Sequence, residues 1–251
     1  MLKFVKVLSV VMAIAFLSTV SVFAAETALQ YGKSPISVVK ASAALKMDGK
    51  ALEASWKKAP NLNKTIDHYK ITATGAWKKL PAAGVASVTT LKYLWDTKNI
   101  YCFITVKDTT NYTAGAINVL NIDAVEYHLD AKNSDRISYS GKNDAQYRFS
   151  RPYKRANGQT YTDVSGWGSY NAPQFKNNCK SIGTSTTYTQ EIKIPLATHG
   201  VATLKKGQKI GWDIQVNDAT AQKAGRTYQL VWNSKDNAWT NPSTMGTLIM
   251  K

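Results

Sequence analysis

The chain has 251 residues, and its 32 lysines and arginines against 16 aspartates and glutamates give a formal net charge of +16. This length is sufficient for one large domain with a substantial core. Two cysteines are too few for a disulfide-stapled scaffold. The sequence has no recognition helix and no aromatic RNA-binding strand motif, so nucleic acid is disfavoured as a partner. The lysines are scattered and are expected to solvate the surface, although a generic anionic partner remains open.

Residues 1–24 have the order of a secretory signal peptide. Lys3 and Lys6 form a basic start, an apolar run extends from Val7 to about Val22, and Ala24 closes a small-x-small cleavage site. A retained membrane helix would need a longer apolar stretch. We therefore predict cleavage after Ala24 and a secreted protein, extracellular or periplasmic, with no membrane anchor after cleavage. Residues 25–45 are predicted to form an N-terminal tail or an edge strand, and residues 46–251 one domain.

The remaining chain predicts strands separated by turns. The predicted strands are rich in Val, Ile, Tyr and Trp, and they span residues 87–95, 100–107, 124–130, 146–150, 188–194, 210–217, 228–232 and 245–250. Residues 96–99 and 205–208 have turn composition, and Pro195 should end a strand. Many short strands without helical crossovers predict an all-β fold, an antiparallel β-sandwich of jelly-roll or immunoglobulin-like type.

Two of these strands alternate between apolar and polar residues. The apolar phase consists of Val125, Tyr127 and Leu129 in the first strand and of Ala145, Tyr147 and Phe149 in the second. Because side chains alternate across a sheet, Glu126 and His128 point away from the core, as do Gln146 and Arg148. If the two strands share a sheet, Glu126, Gln146 and Arg148 line a polar outer face.

Cys102 lies in a strand whose alternation groups it with Ile100, Ile104 and Val106, so it is predicted to be a small buried hydrophobe. A disulfide with Cys179 is permitted in an exported protein but does not follow from the sequence. Residues 141–178 form a stretch rich in Gly, Asn and Tyr. Two interpretations of it stay open, a functional loop and a disordered insertion.

A series of short motifs carries a family resemblance. The motifs occur in a fixed order and consist of Asp48-Gly49 with Trp56, Leu94-Trp-Asp96, Ile100-Tyr-Cys-Phe103, Val106-Lys-Asp108, Asp123-Ala-Val-Glu126, Asp144-Ala-Gln-Tyr-Arg148, Gly211-Trp-Asp-Ile-Gln-Val-Asn-Asp218 and Trp239-Thr-Asn-Pro242. In this order they resemble the family 9 carbohydrate-binding modules, from about Lys46 to Lys251.

The resemblance implies a non-catalytic β-sandwich that binds sugars and is often attached to enzymes that degrade plant polysaccharides. In the best-known members two tryptophans hold the terminal sugar, and charged groups grip its reducing end. The corresponding contacts here are Trp239, Glu126, Arg148, Arg226 and Asn237. Gln146 is added from the predicted polar face.

Leu120 departs from the family pattern, because it stands where the second clamping tryptophan is expected. Trp167, Tyr112 or Tyr170 would have to replace that ring, and Trp167 is the candidate that we carry forward. Trp239 lies in a loop composition, whereas Trp56, Trp95, Trp212 and Trp232 are predicted to be core rings. A plain Glu126–Arg148 ion pair is the alternative to a sugar contact.

The family is also known for structural calcium, and Asp108, Asp123 and Asp218 lie at strand ends. Carboxylate oxygens suit this ion, although ordinary turn capping explains the same residues equally well. No organic cofactor is expected.

Two other functions compete with sugar binding. A glycosidase would need paired carboxylates, for which Glu126 with Asp123 or Glu191 can be nominated, but no spacing singles out a pair. A haem-binding relative of the sandwich would use His68, His128 or His199 as axial ligands.

We expect a secreted binder of plant-type polysaccharide or oligosaccharide, preferring chain ends and acting alone or beside extracellular glycan-degrading enzymes. Cellulose, xylan, β-glucan and an acidic cell-wall polymer all remain candidate ligands.

Overall fold

Two layers of β-strands face each other in the computed structural model, which describes residues 35–110, 122–154, 160–161, 164–168, 178–220, 225–234 and 237–251. The regular elements are β1 (Ile36–Lys40), α1 (Ala54–Lys58), β2 (His68–Ile71), β3 (Trp77–Lys79), β4 (Ser87–Trp95), β5 (Asn99–Lys107), β6 (Ala124–Asp130), β7 (Asp144–Ser150), β8 (Tyr153–Lys154), β9 (Thr160–Tyr161), β10 (Val164–Gly168), β11 (Cys179–Gly183), β12 (Thr187–Pro195), β13 (Lys209–Asp218), β14 (Tyr228–Val231) and β15 (Gly246–Met250). No helix in these ranges is long and apolar enough to cross a bilayer.

The first sheet has the strand order β10-β7-β6-β13-β15, and the second has the order β4-β5-β12-β11. Strands β14, β2 and β3 extend the first sheet from the half of β13 that β15 leaves unpaired. Strand β1 joins the two layers, because Ile36 to Val38 pair with β15 whereas Val39 and Lys40 pair with β4. The predicted all-β sandwich is therefore confirmed.

The pairings of β1 differ from the antiparallel prediction, since both are parallel. The stretch 25–45 is predicted to be a tail or an edge strand, and its described part contains β1, in which residues 36–38 pair with β15 and residues 39–40 pair with β4. The cause is the position of the C-terminal strand. Residues 246–250 run beside the start of the chain, and β1 continues from there onto the second sheet.

All eight predicted strands are present. The short strands β2, β3 and β8 to β11 were not predicted, and neither was α1. The predicted turns also occur. Asp96 Oδ1 accepts hydrogen bonds from the backbone N–H groups of Lys98 and Asn99, both at 2.7 Å, and Gly207 adopts a φ of 81°. Strand β12 ends at Pro195 as expected.

The core between the sheets is formed by alternate residues of facing strands. Val125, Tyr127 and Leu129 of β6 are fully buried there, as predicted from their alternation. A one-residue slip in the pairing would turn all three toward the outer face, so burial fixes the register of β6. The same register determines which polar residues point outward, and this links the core to the site described below.

The outer face of the second sheet is covered by the segment that holds the Asp48-Gly49 and Trp56 motif. Glu191 of β12 accepts hydrogen bonds from Asp48 N at 3.1 Å, Gly49 N at 2.8 Å and Trp56 Nε1 at 2.8 Å. Trp56 is fully buried against Tyr101 and other apolar residues of this face. The motif is therefore a structural clip for the second sheet, and Glu191 is its anchor.

The two cysteines lie in the same row of the second sheet, separated by one strand. Cys179 of β11 is opposite Ile192 of β12, and Ile192 is in turn opposite Cys102 of β5. Two strand spacings of about 4.8 Å each separate their Cα atoms by roughly 10 Å. A disulfide needs about 4.4 to 6.8 Å. Both cysteines are free, and burial raises the pKa of each thiol.

We predict that the protein contains two thiols and no disulfide. Alkylation under denaturing conditions without reductant should add two labels per chain, as counted by mass spectrometry. In the native protein Cys102 should react slowly, because its side chain is buried and its thiol stays protonated. Complete protection from the label until a reductant is added would contradict this register.

Candidate functional site

The outer face of the first sheet carries a polar surface, as the alternation predicts. Glu126 of β6 is paired with Arg148 of β7 on one side and with Gln215 of β13 on the other. Because paired residues project from the same face of a sheet, these three side chains meet outside the core. All are nearly inaccessible to solvent, with Glu126 1% exposed and Arg148 5% exposed.

The Glu126 carboxylate is the centre of this surface. Its Oε1 accepts hydrogen bonds from Arg148 Nε at 2.8 Å and from Asn217 Nδ2 at 2.6 Å, and its Oε2 accepts one from Gln146 Nε2 at 2.7 Å. His128 Nε2 lies 3.6 Å from Oε2. Charge-assisted hydrogen bonds of this kind are the strong ones in proteins. The Glu126–Arg148 ion pair, which the sequence analysis gave as the alternative to a sugar contact, is thus present as part of a larger network.

Burial raises the pKa of Glu126, but the opposing effects are larger. The charge of Arg148 is first among them, followed by His128 and by the hydrogen bonds from Arg148 and Asn217, and together they lower the pKa to about 2. The carboxylate therefore stays ionised at any physiological pH. It provides a fixed negative charge that orients its neighbours.

Arg226, in the segment before β14, joins the same carboxylate from the solvent side. Its Nη1 lies 3.5 Å from Glu126 Oε1 and 3.3 Å from Asn217 Oδ1. Its side chain is 24% exposed, against 2% for that of Glu126. Arg226 is thus the most accessible of the charged groups that the structure brings together here.

Trp239 lies in a loop that is tied to this surface at two points. Asp213 holds its start, since its carboxylate accepts hydrogen bonds from Asn233 N at 3.2 Å and from Ser234 N at 2.7 Å. Tyr139 holds its tip by donating to Ala238 O at 2.8 Å.

Trp239 itself is 49% exposed, whereas the four tryptophans predicted to lie in the core are at most 2% exposed. The Tyr139 hydroxyl also lies 3.4 Å from His128 Nδ1, next to Glu126. Contacts thus run without a break from the carboxylate to the residue before Trp239. The backbone next to the exposed Trp239 is therefore tied to the polar surface.

The remaining predicted site residues fall in different places. Asn237 is partly buried in the same loop, and its backbone carbonyl accepts from Thr240 N and Asn241 N. The backbone of Trp167 in β10 pairs with Gln146, which places this residue at the rim of the polar surface. Leu120, Tyr112 and Tyr170 lie outside the described residues, as does the predicted cleavage site.

Asn217 and Gln215 belong to the network but were not predicted. Gln215 extends the network in two directions. Its Oε1 accepts a hydrogen bond from Gln229 Nε2 at 2.8 Å, and its Nε2 donates to Ser234 Oγ at 3.0 Å. The signal was present in β13, where Ile214 and Val216 alternate with these polar residues. Placing them beside Glu126 required the pairing of β13 with β6, which sequence alternation does not give.

The three aspartates predicted to bind calcium do lie together. Asp108, Asp123 and Asp218 are buried, and an oxygen from each is within 4.8 Å of the others. Burial first, and the nearby charge of Asp108 second, raise the pKa of Asp218 to about 7. Arg151 forms ion pairs with Asp108 and Asp123, at 3.1 and 3.5 Å. This arginine was not predicted.

The nominated carboxylate pairs do not face a common cleft. Glu191 lies on the outer face of the second sheet, opposite to Glu126, where it holds the Asp48-Gly49 segment. Asp123 accepts a hydrogen bond from Ala219 N and pairs with Arg151. A glycosidase needs two carboxyl groups on either side of one bond. These positions do not provide that arrangement.

The three histidines considered as haem ligands are buried in separate environments. His68 Nδ1 lies 2.8 Å from Asp67 Oδ1, and His128 lies between Tyr139 and Glu126. His199 contacts the Tyr147 hydroxyl, and burial lowers its pKa to about 4. Each ring therefore already has a protein partner.

A partly exposed indole beside guanidinium and amide groups is suited to hold a sugar, because the indole offers a flat apolar face and the polar groups reach hydroxyls. The sequence leads to the same class of protein. This chain belongs to the family described as "Carbohydrate family 9 binding domain-like", which matches residues 47–251. The resemblance predicted from the motifs is confirmed.

Several enzymes contain a region similar to this chain. Exoglucanase XynX of Acetivibrio thermocellus is 33% identical over 162 residues, which are 64% of this chain and 13% of that protein. Endo-1,4-beta-xylanase C of Paenibacillus barcinonensis is 29% identical over 81% of this chain and 16% of its own length. The chain therefore corresponds to less than a fifth of these relatives.

A solved structure has the same fold. It is a family 9 carbohydrate-binding module of Caldicellulosiruptor kristjanssonii in complex with cellotriose, with a TM-score of 0.62 and 23% identity over 86% of this chain and 93% of that one. The same kind of module in complex with glucose gives a TM-score of 0.61 at 22% identity. At this identity the likeness establishes the fold.

We predict that Glu126 makes stability depend on acid pH. Its pKa is lowered from 4.5 to about 2, so its contribution is fully present above pH 4.5 and is lost as the pH falls toward 2. The shift corresponds to on the order of 3 kcal/mol. Urea unfolding should show Glu126→Gln less stable than the parent at pH 7 by about this amount, with the difference shrinking toward pH 2 to 3.

Glu191→Gln is the matched control. Burial raises the pKa of Glu191, so the parent should gain stability relative to this variant as the pH falls, which is the opposite trend. A constant difference between Glu126→Gln and the parent at every pH would show that the network does not hold the carboxylate ionised.

Proposed function

We propose that this protein is a secreted, non-catalytic binder of plant-type polysaccharide or oligosaccharide that recognises chain ends. Trp239 provides the stacking platform, and the network around Glu126 provides the polar grip. The observation that carries the proposal is the half-exposed Trp239 ring, held by a loop whose contacts lead directly to the buried Glu126 carboxylate.

The indole face suits the C–H side of a pyranose ring. Sugar stacking needs a flat apolar surface that is accessible and does not move, because ordering a mobile ring on binding costs affinity. Trp239 is 49% exposed, and the hydrogen bond from Tyr139 to Ala238 O holds the backbone next to it. The core tryptophans fail the first condition.

The charged groups have different roles in this proposal. Both oxygens of Glu126 accept hydrogen bonds from protein donors, so its main role is to position Arg148 and Arg226. Guanidinium groups present several donors in a fixed plane and suit vicinal hydroxyls. Arg226, with 24% of its side chain exposed, is the first of them that a sugar would meet. Gln146, Arg148 and Asn237 then complete the polar contacts, and Trp167 at the rim is the candidate for a second ring.

Export and partnership with enzymes complete the proposal. The basic, apolar and small-residue order of residues 1–24 supports secretion. The named relatives are an exoglucanase and an endo-1,4-beta-xylanase, and a module of the same fold was solved with cellotriose. We therefore infer that the ligand is a β-linked glucan or xylan and that the protein acts beside extracellular enzymes that degrade such polymers.

We predict that Trp239→Ala weakens binding with little effect on folding. Loss of a stacked ring removes about 1 to 2 kcal/mol, which is a five- to thirty-fold rise in Kd. Calorimetric titration with cellotriose and xylotriose measures the change. The melting temperature should stay near that of the parent, because the ring is half exposed.

Trp77→Ala is the control for this experiment. Trp77 is also a partly exposed tryptophan, but it lies on β3 at the far edge of the first sheet, against His68. Its loss should leave binding unchanged. Equal binding by Trp239→Ala and the parent would remove Trp239 from the site.

We also predict that binding depends on an intact reducing end. Cellotriose and its alditol, in which the terminal ring is opened by reduction, offer the same internal sugars but different ends. The parent should bind the alditol at least ten-fold more weakly, and Arg226→Ala should narrow that difference. Equal affinity for the two ligands would mean that the protein recognises internal sugars.

A further inference from the structure

The guanidinium of Arg151 is completely buried in the aspartate cluster described above. Its Nη1 lies 3.1 Å from Asp108 Oδ2 and 3.5 Å from Asp123 Oδ2, and its side chain is 0% exposed. Arg151 directly follows β7, and Asp123 directly precedes β6, so the paired strands deliver the two charges to the same end of the first sheet.

The same guanidinium also collects backbone carbonyls from two loops. Its Nη1 donates to Thr110 O at 2.7 Å, and its Nη2 donates to Thr184 O at 3.0 Å and Ser185 O at 2.8 Å. One face of the group lies over the Tyr188 ring, 5.3 Å from its centroid. A ring of carboxylate and carbonyl oxygens around one positive charge is the environment that proteins otherwise build for a hard cation.

The carboxylate oxygens of this cluster are already used by protein donors, so they do not form a calcium site. The ion takes six to eight oxygen ligands at about 2.3 to 2.6 Å. The second oxygen of each carboxylate is committed to a backbone N–H, from Thr110 to Asp108, from Ala219 to Asp123 and from Ala86 to Asp218. Among the described residues, Asp218 Oδ1 is the cluster oxygen without a hydrogen-bond partner. One oxygen does not make a calcium site beside a fixed positive charge.

We propose that Arg151 is the built-in cation of this cluster, in the place where the sequence predicted calcium. The guanidinium links the ends of β6 and β7 to the loops at residues 108–110 and 184–185. A structural metal ion would link these segments in the same way, through their oxygen atoms. Because an arginine stays protonated at every working pH and cannot be chelated, this junction does not depend on metal supply.

Asp218→Asn tests the proposal in the intact chain. Asparagine keeps an acceptor for Ala86 N and removes a carboxylate that a calcium ion at this cluster would use, whereas the ion pairs of Arg151 are made with Asp108 and Asp123. We expect equal calcium content by elemental analysis for Asp218→Asn and the parent. Chelator should change the melting temperature of both by the same amount. A parent that holds one more calcium ion than Asp218→Asn would overturn the proposal.

Arg151→Gln gives the complementary measurement. Removing one partner of a buried ion pair should lower the melting temperature by about 10 °C in chelator. Millimolar calcium should restore part of the lost melting temperature, and magnesium should restore less. The oxygens that Arg151 no longer contacts suit calcium, which is the larger of the two ions. A melting temperature within 1 °C of the parent in chelator would overturn the proposal. If Arg151→Gln does not fold, the comparison with Asp218→Asn still decides.

Discussion

The pairing of β13, β6 and β7 is the constraint on which the rest of the molecule depends. Burial of Tyr127 and its apolar neighbours fixes the register of β6, and this register turns Glu126 outward with Arg148 on one side and Gln215 on the other. A slip of one residue would bury the carboxylate in an apolar core and expose the rings. Core packing and site geometry are therefore two consequences of the same pairing.

Among the described residues, three buried polar networks have separate tasks. The network around Glu126 lies under the candidate sugar site, Glu191 clips the N-terminal segment to the second sheet, and Arg151 closes the end of the first sheet. Each network satisfies a buried charge with several donors or acceptors, which is the condition for keeping a charge away from water.

Different elements supply rigidity and access at the candidate site. The sheet places Glu126 and Arg148 but leaves them almost without contact with water. The accessible groups, Arg226 and Trp239, come from connections at the ends of strands and are then tied back by Asn217 and Tyr139. Loops on a rigid sandwich commonly carry binding groups in this way. In the proposed site, such ties would hold the contact groups in place before a ligand binds and so limit the entropy lost on binding.

The sequence by itself determined the eight longer predicted strands, their inward and outward phases and the family. Period-two alternation is a local property, so it placed Glu126, Gln146 and Arg148 on one face, and ordered motifs identified the relatives. Tertiary structure alone decided the rest. It placed Asn217 beside Glu126 and β1 between two parallel partners, and it kept Cys102 a full strand away from Cys179. It also put Arg151 among the three aspartates. These facts depend on which distant strands pair, and pairing is set by the packing of the whole core rather than by any local pattern.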